Sequence, residues 1–271
     1  MTSTSGSTRH SRPVSTAAVV AHGRVDVDPA VDRVRVVAER AGVTLVNDPR
    51  GADVAVAIGG DGTMLRTLAK LLGSGVPVIG VNFGRVGFLS SMTHDELETG
   101  IGRVFEGEYD VVELATLEVE YAGSRFVAVN DAVVTSATLG RMVELEWAVG
   151  GEDLGVQPCD GVICATPSGS TAYNLSNGGP VLVWGIDAMA ITFVAPHSLH
   201  ARPLVVPRGR DVVICNRTPD VAAVVLVDGH RTGEIRPVDG TVVVRLGPER
   251  SLLATLPDAT FVRRYRQSFA T

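Results

Sequence analysis

Residues 52–60, ADVAVAIGG, set five consecutive apolar residues, Val54 to Ile58, directly before a glycine pair. A run that is apolar at every position, rather than at alternate ones, suits a strand buried on both faces, and such strands occur in parallel sheets covered by helices. The neighbouring segments supply the rest of that architecture. TAAVVAH (16–22) reads as a first strand, and VTLV as a second. Between them DPAVDRVRVVAERAG (28–42) reads as a helix, with Val31, Val34, Val36, Val37 and Ala41 on one stripe and Gly42 as its stop. After ADVAVAIGG come a helix in TMLRTLAKLLGSG and a fourth strand in VPVIGVN. Strands alternating with helices require right-handed crossovers and give an α/β fold.

From about residue 110 strand-like runs follow one another without helices, separated mostly by Gly, Pro or Asp turns: VVELATLEVEYAG, SRFVAVNDAVVTSA, MVELEWAVGGEDLG, GVICATP, AMAITFVAP, RDVVICNR, VAAVVLVDG and GTVVVRLG. This predicts a second, β-rich domain. FVRRYRQSF (261–269) alternates apolar and basic residues and reads as a helix returning to the first domain. The expected division is a disordered tail at 1–15, an α/β domain at 16–100 plus 255–271, and a β-rich domain at 101–254.

Composition removes several function classes. A formal net charge of −6 leaves no basic surplus to release phosphate counterions, which argues against sequence-independent nucleic-acid binding. Lys70 is the only lysine. Cys159, Cys164 and Cys215 form no CxxC pair and leave an odd count, as in a reducing cytoplasm without disulfides or a zinc site. The Ser- and Thr-rich start lacks the apolar core of a secretory signal, and no run of about 18 apolar residues would span a membrane. The expectation is a cytoplasmic protein.

Three stretches carry the polar chemistry. Gly59, Gly60, Asp61 and Gly62 fall at the carboxyl end of a predicted parallel strand, where open α/β sheets bind ligands. The glycines allow close approach of backbone, and Thr63 opens a helix whose free N–H groups attract phosphate. Asp61 is either a helix cap or a ligand contact. Arg66, one turn on, reaches towards a phosphate or remains solvated. No GxxxxGK[ST] motif exists and Lys70 lies within the helix, so this is no Walker loop. A second glycine-spaced loop, GVNFGRVGFLSS (80–91), has Gly80, Gly84 and Gly87 in GxxxGxxG spacing, and either lines a cleft beside Asp61 or merely connects domains.

The third stretch, CDGVICATPSGSTAYNLSNGGP (159–180), follows a buried strand with a loop dense in hydroxyls and free N–H groups. Tyr173 offers a stacking face and a hydroxyl, with Ser176 on the same side of a helical turn. The stretch lacks the GxSxG elbow of a serine hydrolase. Asn130 and Asp131 interrupt a β pattern with an amide and a carboxylate, a pair suited to ribose hydroxyls, or else mark a bulge. His230, after Asp228 and Gly229, is presented by a turn or is structural.

Taken together, GGDGTMLR, GVNFGRVGFL, VND and DGVICATPSGSTAYNLSNGGP resemble, in order, the signatures of the NAD kinases, over about residues 19–269. The resemblance implies an N-terminal α/β domain and a C-terminal β-sandwich-like domain, and transfer of the γ-phosphate of ATP to the 2′-hydroxyl of the adenosine ribose of NAD, making NADP. It implies Asp61 as proton acceptor, with Gly62 and Arg66 on the dinucleotide, and Asn130 and Asp131 on the ribose, Asp131 standing where the family has Glu. It places Arg141, Asp160, the run Thr171, Ala172, Tyr173, Asn174, Leu175 and Ser176, Ala195 and His230 on further NAD-contacting positions. Pro158 stands where many members carry a basic residue that helps select oxidised NAD. A divalent cation, Mg²⁺, comes with ATP, polyphosphate is an alternative donor, and homodimers or homotetramers share active sites. The competing readings are another GGDG-type kinase, acting on a lipid or sugar phosphate, and a non-catalytic dinucleotide sensor.

Overall fold

The structure, a computed structural model, describes residues 13–21, 28–82, 87–236 and 240–269, and the backbone of 7–10. The first elements in chain order are β1 (Ser7–His10), β2 (Thr16–Ala21), α1 (Asp28–Ala41), β3 (Thr44–Leu45), β4 (Val54–Ile58), α2 (Asp61–Lys70), β5 (Val78–Asn82), β6 (Met92–Thr93) and α3 (Leu97–Phe105). A succession of strands follows: β7 (Tyr109–Tyr121), β8 (Ser124–Ala128), β9 (Asp131–Ser136), β10 (Val143–Val149), β11 (Glu152–Cys159) and β12 (Gly161–Ala165). The chain ends with α4 (Tyr173–Ser176), β13 (Ala188–Val194), β14 (Leu204–Pro207), β15 (Val212–Asn216), β16 (Ala223–Val227), β17 (His230–Ile235), β18 (Thr241–Thr255) and α5 (Phe261–Phe269).

Two compact units form, one from residues 1–114 and 250–271, the other from 115–249. In the first, β3, β2, β4 and β5 lie side by side and parallel, with the end of β18 parallel to β5 through Leu253 and Val78. All five residues of β4 are buried, as the unbroken apolar run requires. Helix α1 buries Ala30, Val34, Val37 and Ala38, whereas Val36 is 43% exposed and Ala41 is also exposed. Val31, Val34 and Val37 of the expected stripe pack into the core, and Ala30 and Ala38 stand in it where Val36 and Ala41 do not. The amphipathic α3 buries Leu97, Ile101, Val104 and Phe105 in the same core as α1 and β4. That burial puts residues 101–114 in the first unit, not the second. Where a disordered tail is expected, Ser7–His10 pair antiparallel with Tyr109–Val112.

The second unit has two layers. One sheet runs β14-β13-β12-β9-β16-β17, all antiparallel; the other contains β11, β10, β15 and the start of β18. Their facing residues, among them Leu145, Ile214 and Val244 from one and Val134, Cys164 and Ile191 from the other, make a single core. This is the sandwich-like arrangement that alternating burial on antiparallel strands produces. Strand β14 is only four residues, LVVP, and β17 is mostly polar, HRTGEI, so neither shows a strand pattern in the sequence.

Phe105 is 2% exposed in the first core, so Phe105→Ala should lower the unfolding free energy by about 3–5 kcal/mol. Val36→Ala should change it by less than about 0.5 kcal/mol. Urea denaturation of Val36→Ala distinguishes the observed face of α1 from the expected one, and that of Phe105→Ala tests the burial of α3.

Candidate active site

In the first unit Asp61 is the first residue of α2 and does not cap it: Gly60 occupies the cap position, with no side-chain hydrogen bond. The Asp61 carboxylate turns instead to the segment after β5. Its Oδ2 accepts the Phe88 N–H at 2.9 Å, and its Oδ1 the Leu89 N–H at 3.4 Å. Burial pushes the carboxyl above its ordinary value, while the Phe88 and Leu89 amides and the charge of Arg264 hold back part of the rise. A carboxylate so placed is a stronger base than one in water.

The glycines around it have separate duties. A Cβ on Gly87 would overlap the Asp61 carboxylate, so only glycine lets the loop come close enough to donate its amides. Gly59 has φ +147° and packs against Thr63, where a Cβ would stand 2.5 Å from Oγ1. Gly80 lies within β5, where a Cβ would meet Met64 Sδ at 2.6 Å and the Ser90 backbone at 3.0 Å, so it lets α2 and the segment after β5 pack closely on the strand. Gly84 lies outside the described residues. Gly60 and Gly62 have open space at the head of α2, whose leading amides lack intrahelical acceptors. Thr63 is buried, and Arg66 is exposed with a long contact of 3.4 Å to Thr63 Oγ1.

In the second unit three antiparallel strands deliver loops to one end of their sheet. Asp131, opening β9, lies across from Ala165 at the end of β12, and the next residue, Ala132, lies across from Val227 at the end of β16. The three loops are bonded together. Thr166 Oγ1 donates to the Val129 carbonyl at 2.7 Å, and Thr166 N–H to that of Asn130 at 2.8 Å. A Cβ on Gly169 would overlap the Asn130 carbonyl, so glycine is needed here also. Ser168 Oγ donates to Asn130 Oδ1 at 3.1 Å, which occupies the amide oxygen and leaves its N–H groups as donors.

Asp228, read from the sequence only as a turn residue, holds this end together. It adopts φ +46°, and its carboxylate accepts the N–H groups of Val129, Asn130 and Asp131 at 2.8, 2.7 and 3.1 Å. Among the described residues Asp131 has no such donors; it is 7% exposed and stands beside that charge. Burial, and then Asp228, push its carboxyl up to about 7. His230 is exposed, with Nδ1 3.0 Å from the Asp228 carbonyl oxygen.

The remaining expected residues divide into two groups. Tyr173, 44% exposed, and Ser176 are presented together on α4, with Leu175 half-buried; Thr171 and Ala172 lead into that helix. Asn174 is fully buried: its Nδ2 donates to the Ser170 and Pro180 carbonyls at 3.0 Å each, and its Oδ1 accepts Thr192 Oγ1 at 2.7 Å. It ties the loop internally. Arg141 is held by Asp220 at 2.8 Å on an exposed loop, and the Asp160 side chain is exposed before β12. Ala195 follows β13 with φ +44°, unusual for a residue with a Cβ. Pro158 lies in β11, where its carbonyl accepts the His197 N–H at 2.9 Å. Among the described residues no group of three or more His, Cys, Asp or Glu is placed to hold a metal ion. A magnesium ion bound largely through substrate phosphates needs only one or two protein carboxylates.

Two protein-family patterns match the chain: the ATP-NAD kinase N-terminal domain over residues 10–109 and the ATP-NAD kinase C-terminal domain over 129–255. The NAD kinase of Gemmatimonas aurantiaca is 37% identical over 220 residues, covering 79% of this chain and 76% of that protein. That of Aromatoleum aromaticum is 40% identical over 199 residues, covering 72% and 66%. Among solved structures, an NAD kinase from Archaeoglobus fulgidus in complex with ATP superposes with a TM-score of 0.77 at 27% identity, covering 94% of this chain and 97% of that one. Yeast NADH kinase complexed with NADH shares the fold, with a TM-score of 0.81 at 21% identity over 96% of this chain and 88% of that one.

The raised Asp131 value fixes the sign of a pH effect. Stability tied to its neutral form is complete below the ordinary value of about 3.9 and is lost as pH rises through about 7. Asp131→Asn should therefore have a higher Tm than the parent at pH 8, with the gap closing steadily as pH falls. A gap independent of pH would show that Asp131 is not the group responsible.

Proposed function

The chain belongs to the NAD kinase family and phosphorylates NAD, and on that premise we propose that Asp61 is the proton acceptor of the reaction. The 2′-hydroxyl of the adenosine ribose attacks the γ-phosphorus of ATP and passes its proton to Asp61. A bond forms from the ribose oxygen to phosphorus, and the bond from phosphorus to the β,γ-bridging oxygen breaks, so ADP leaves and NADP remains. Phosphoryl transfer asks a protein for alignment and charge stabilisation rather than covalent work. The observation that carries the reading is the Asp61 carboxylate, partly buried and aimed by the Phe88 and Leu89 amides at the head of α2. Polyphosphate in place of ATP as donor would leave this step unchanged.

The supporting residues follow from their surroundings. Gly59, Gly60 and Gly62 bring the backbone and the positive end of α2 towards phosphate, and Arg66 is exposed one turn on. Asn130 donates from its unengaged N–H groups and Asp131 accepts from ribose hydroxyls, because the first has its oxygen occupied by Ser168 and the second has no donor of its own among the described residues. Tyr173 and Ser176 are presented for a base or ribose, with Thr171, Ala172, Leu175, Arg141, Asp160, Ala195 and His230 as further contacts. The buried Asn174 serves by holding their loop. A divalent cation, Mg²⁺, brought by ATP, supplies charge neutralisation on the phosphates. Pro158 provides no cation for selecting oxidised NAD.

A homodimer or homotetramer in the cytoplasm completes the proposal. Leu154 and Val156 on β11 and Leu204 and Val205 on β14 are exposed apolar residues in the second unit, which supports self-association.

Purified protein given NAD, ATP and Mg²⁺ should form NADP; NAD binding without NADP would favour a sensor. Asp61→Ala should lower turnover by about 10²-fold or more with the fold retained. Near-normal turnover would remove Asp61 from the mechanism. Gly87→Ala, which displaces the carboxylate without deleting it, should cost turnover by up to about 10²-fold while the circular dichroism spectrum stays unchanged.

A further inference from the structure

Helix α5 carries Arg263, Arg264 and Arg266, and only Arg264 is turned inward, at 4% exposure. A buried guanidinium is costly unless its donors are satisfied. The Nη donors of Arg264 converge on one segment of the same unit. Nη1 donates to the Phe88 carbonyl at 2.9 Å and to the Ser90 carbonyl, and Nη2 to Ser91 Oγ at 2.9 Å; Nε donates to Ala259 at 2.9 Å. The same segment supplies the amides that hold Asp61. The peptide group joining Phe88 to Leu89 stands between the two charges, its oxygen on Arg264 and its N–H on Asp61 Oδ1. That orientation aligns the peptide dipole with both, so each bond polarises the other. The ring of Phe88 also meets α5, 5.2 Å from Phe261 and 6.1 Å from Phe269 between centroids.

We propose that Arg264 is a positioning residue for Asp61: it fixes the Phe88–Ser91 segment whose amides aim the carboxylate, and it sets the cationic field at that carboxylate. The proposal rests on the reading of Asp61 as proton acceptor. Among the described residues the other groups around Asp61 contribute no competing charge. Strands β4 and β5, packed against α2, consist of VAVAI and VIGVN, and the loop offers the Phe88, Leu89 and Ser90 amides. Arg66, on α2 itself, is exposed and directed to Thr63. The raised proton affinity that burial gives Asp61 is held in check by those amides and Arg264. Burial lowers the Arg264 value to about 10, which keeps it charged at neutral pH.

The test compares the pH profile of kcat/KM for NAD, kcat and NAD affinity in the parent, Arg264→Met, Arg264→Lys and Asp61→Ala. Arg264→Met should lower kcat about tenfold or more, leave the Kd for NAD within about threefold, and move the acid limb of the profile to higher pH by at least about 0.5. Arg264→Lys keeps the charge but loses the fork of donors, so its acid limb should stay near that of the parent while kcat falls. A folded Arg264→Met with a lowered Tm but an unmoved acid limb would show a merely structural arginine and overturn the proposal. Should the Met variant not fold, the Lys variant decides: parental kcat there also overturns it. Substantial turnover by Asp61→Ala would sink the reading of Asp61 itself. An inactive Asp61→Ala beside an unmoved Arg264→Met profile refutes the role of Arg264 alone.

Discussion

A carboxylate can leave water only where other donors replace the hydrogen bonds it loses, and the loops at the strand ends of both units are organised around that requirement. Asp61 is met by the amides of Phe88 and Leu89, and Asp228 by those of Val129, Asn130 and Asp131. In each case the acceptor orders the loop that supplies its donors. Asp131 is the exception. It is buried next to the Asp228 charge with no such amides among the described residues, and burial and that charge together raise its proton affinity.

Close approach of backbone to these groups explains where glycine is indispensable. Gly87 clears the Asp61 carboxylate, and Gly169 clears the Asn130 carbonyl. Each glycine sits one strand end away from the carboxylate or amide it accommodates, so the parallel order β4-β5 and the antiparallel order β12-β9-β16 are what bring donor loop and acceptor together. The stability of the sheets thereby becomes the precision of the loops, as preorganised catalysis demands. The buried Arg264 adds a second anchor to the Phe88–Ser91 segment from the far end of the chain.

Much of the architecture is legible in local pattern. The unbroken run Val54–Ile58 announces burial on both faces, and the loss of helical periodicity after α3 announces the antiparallel sandwich. The unit boundary is harder to read, because β7 and β18 each continue as one strand from one unit into the other. On α1, valine at 36 satisfies the helical period, but packing in the core keeps Val31, Val34 and Val37 and adds Ala30 and Ala38 in place of Val36 and Ala41.

The sequence by itself determined the two-part fold class, the position of Asp61 at a strand end and the signatures of a dinucleotide kinase, since these depend on residue order and local period alone. Only the tertiary structure decided what Asp61 does with its hydrogen bonds. It separated Gly80, which packs a helix, from Gly87, which clears a carboxylate, although both belong to one glycine-spaced motif. It also brought Asp228 and Arg264 to loops far from them in sequence, by 97 to 99 residues for Asp228 and by 173 to 176 for Arg264. Neither bonding role carries a local signal, because burying a charge beside particular backbone groups is a property of strand order and helix docking, which no short window of sequence contains.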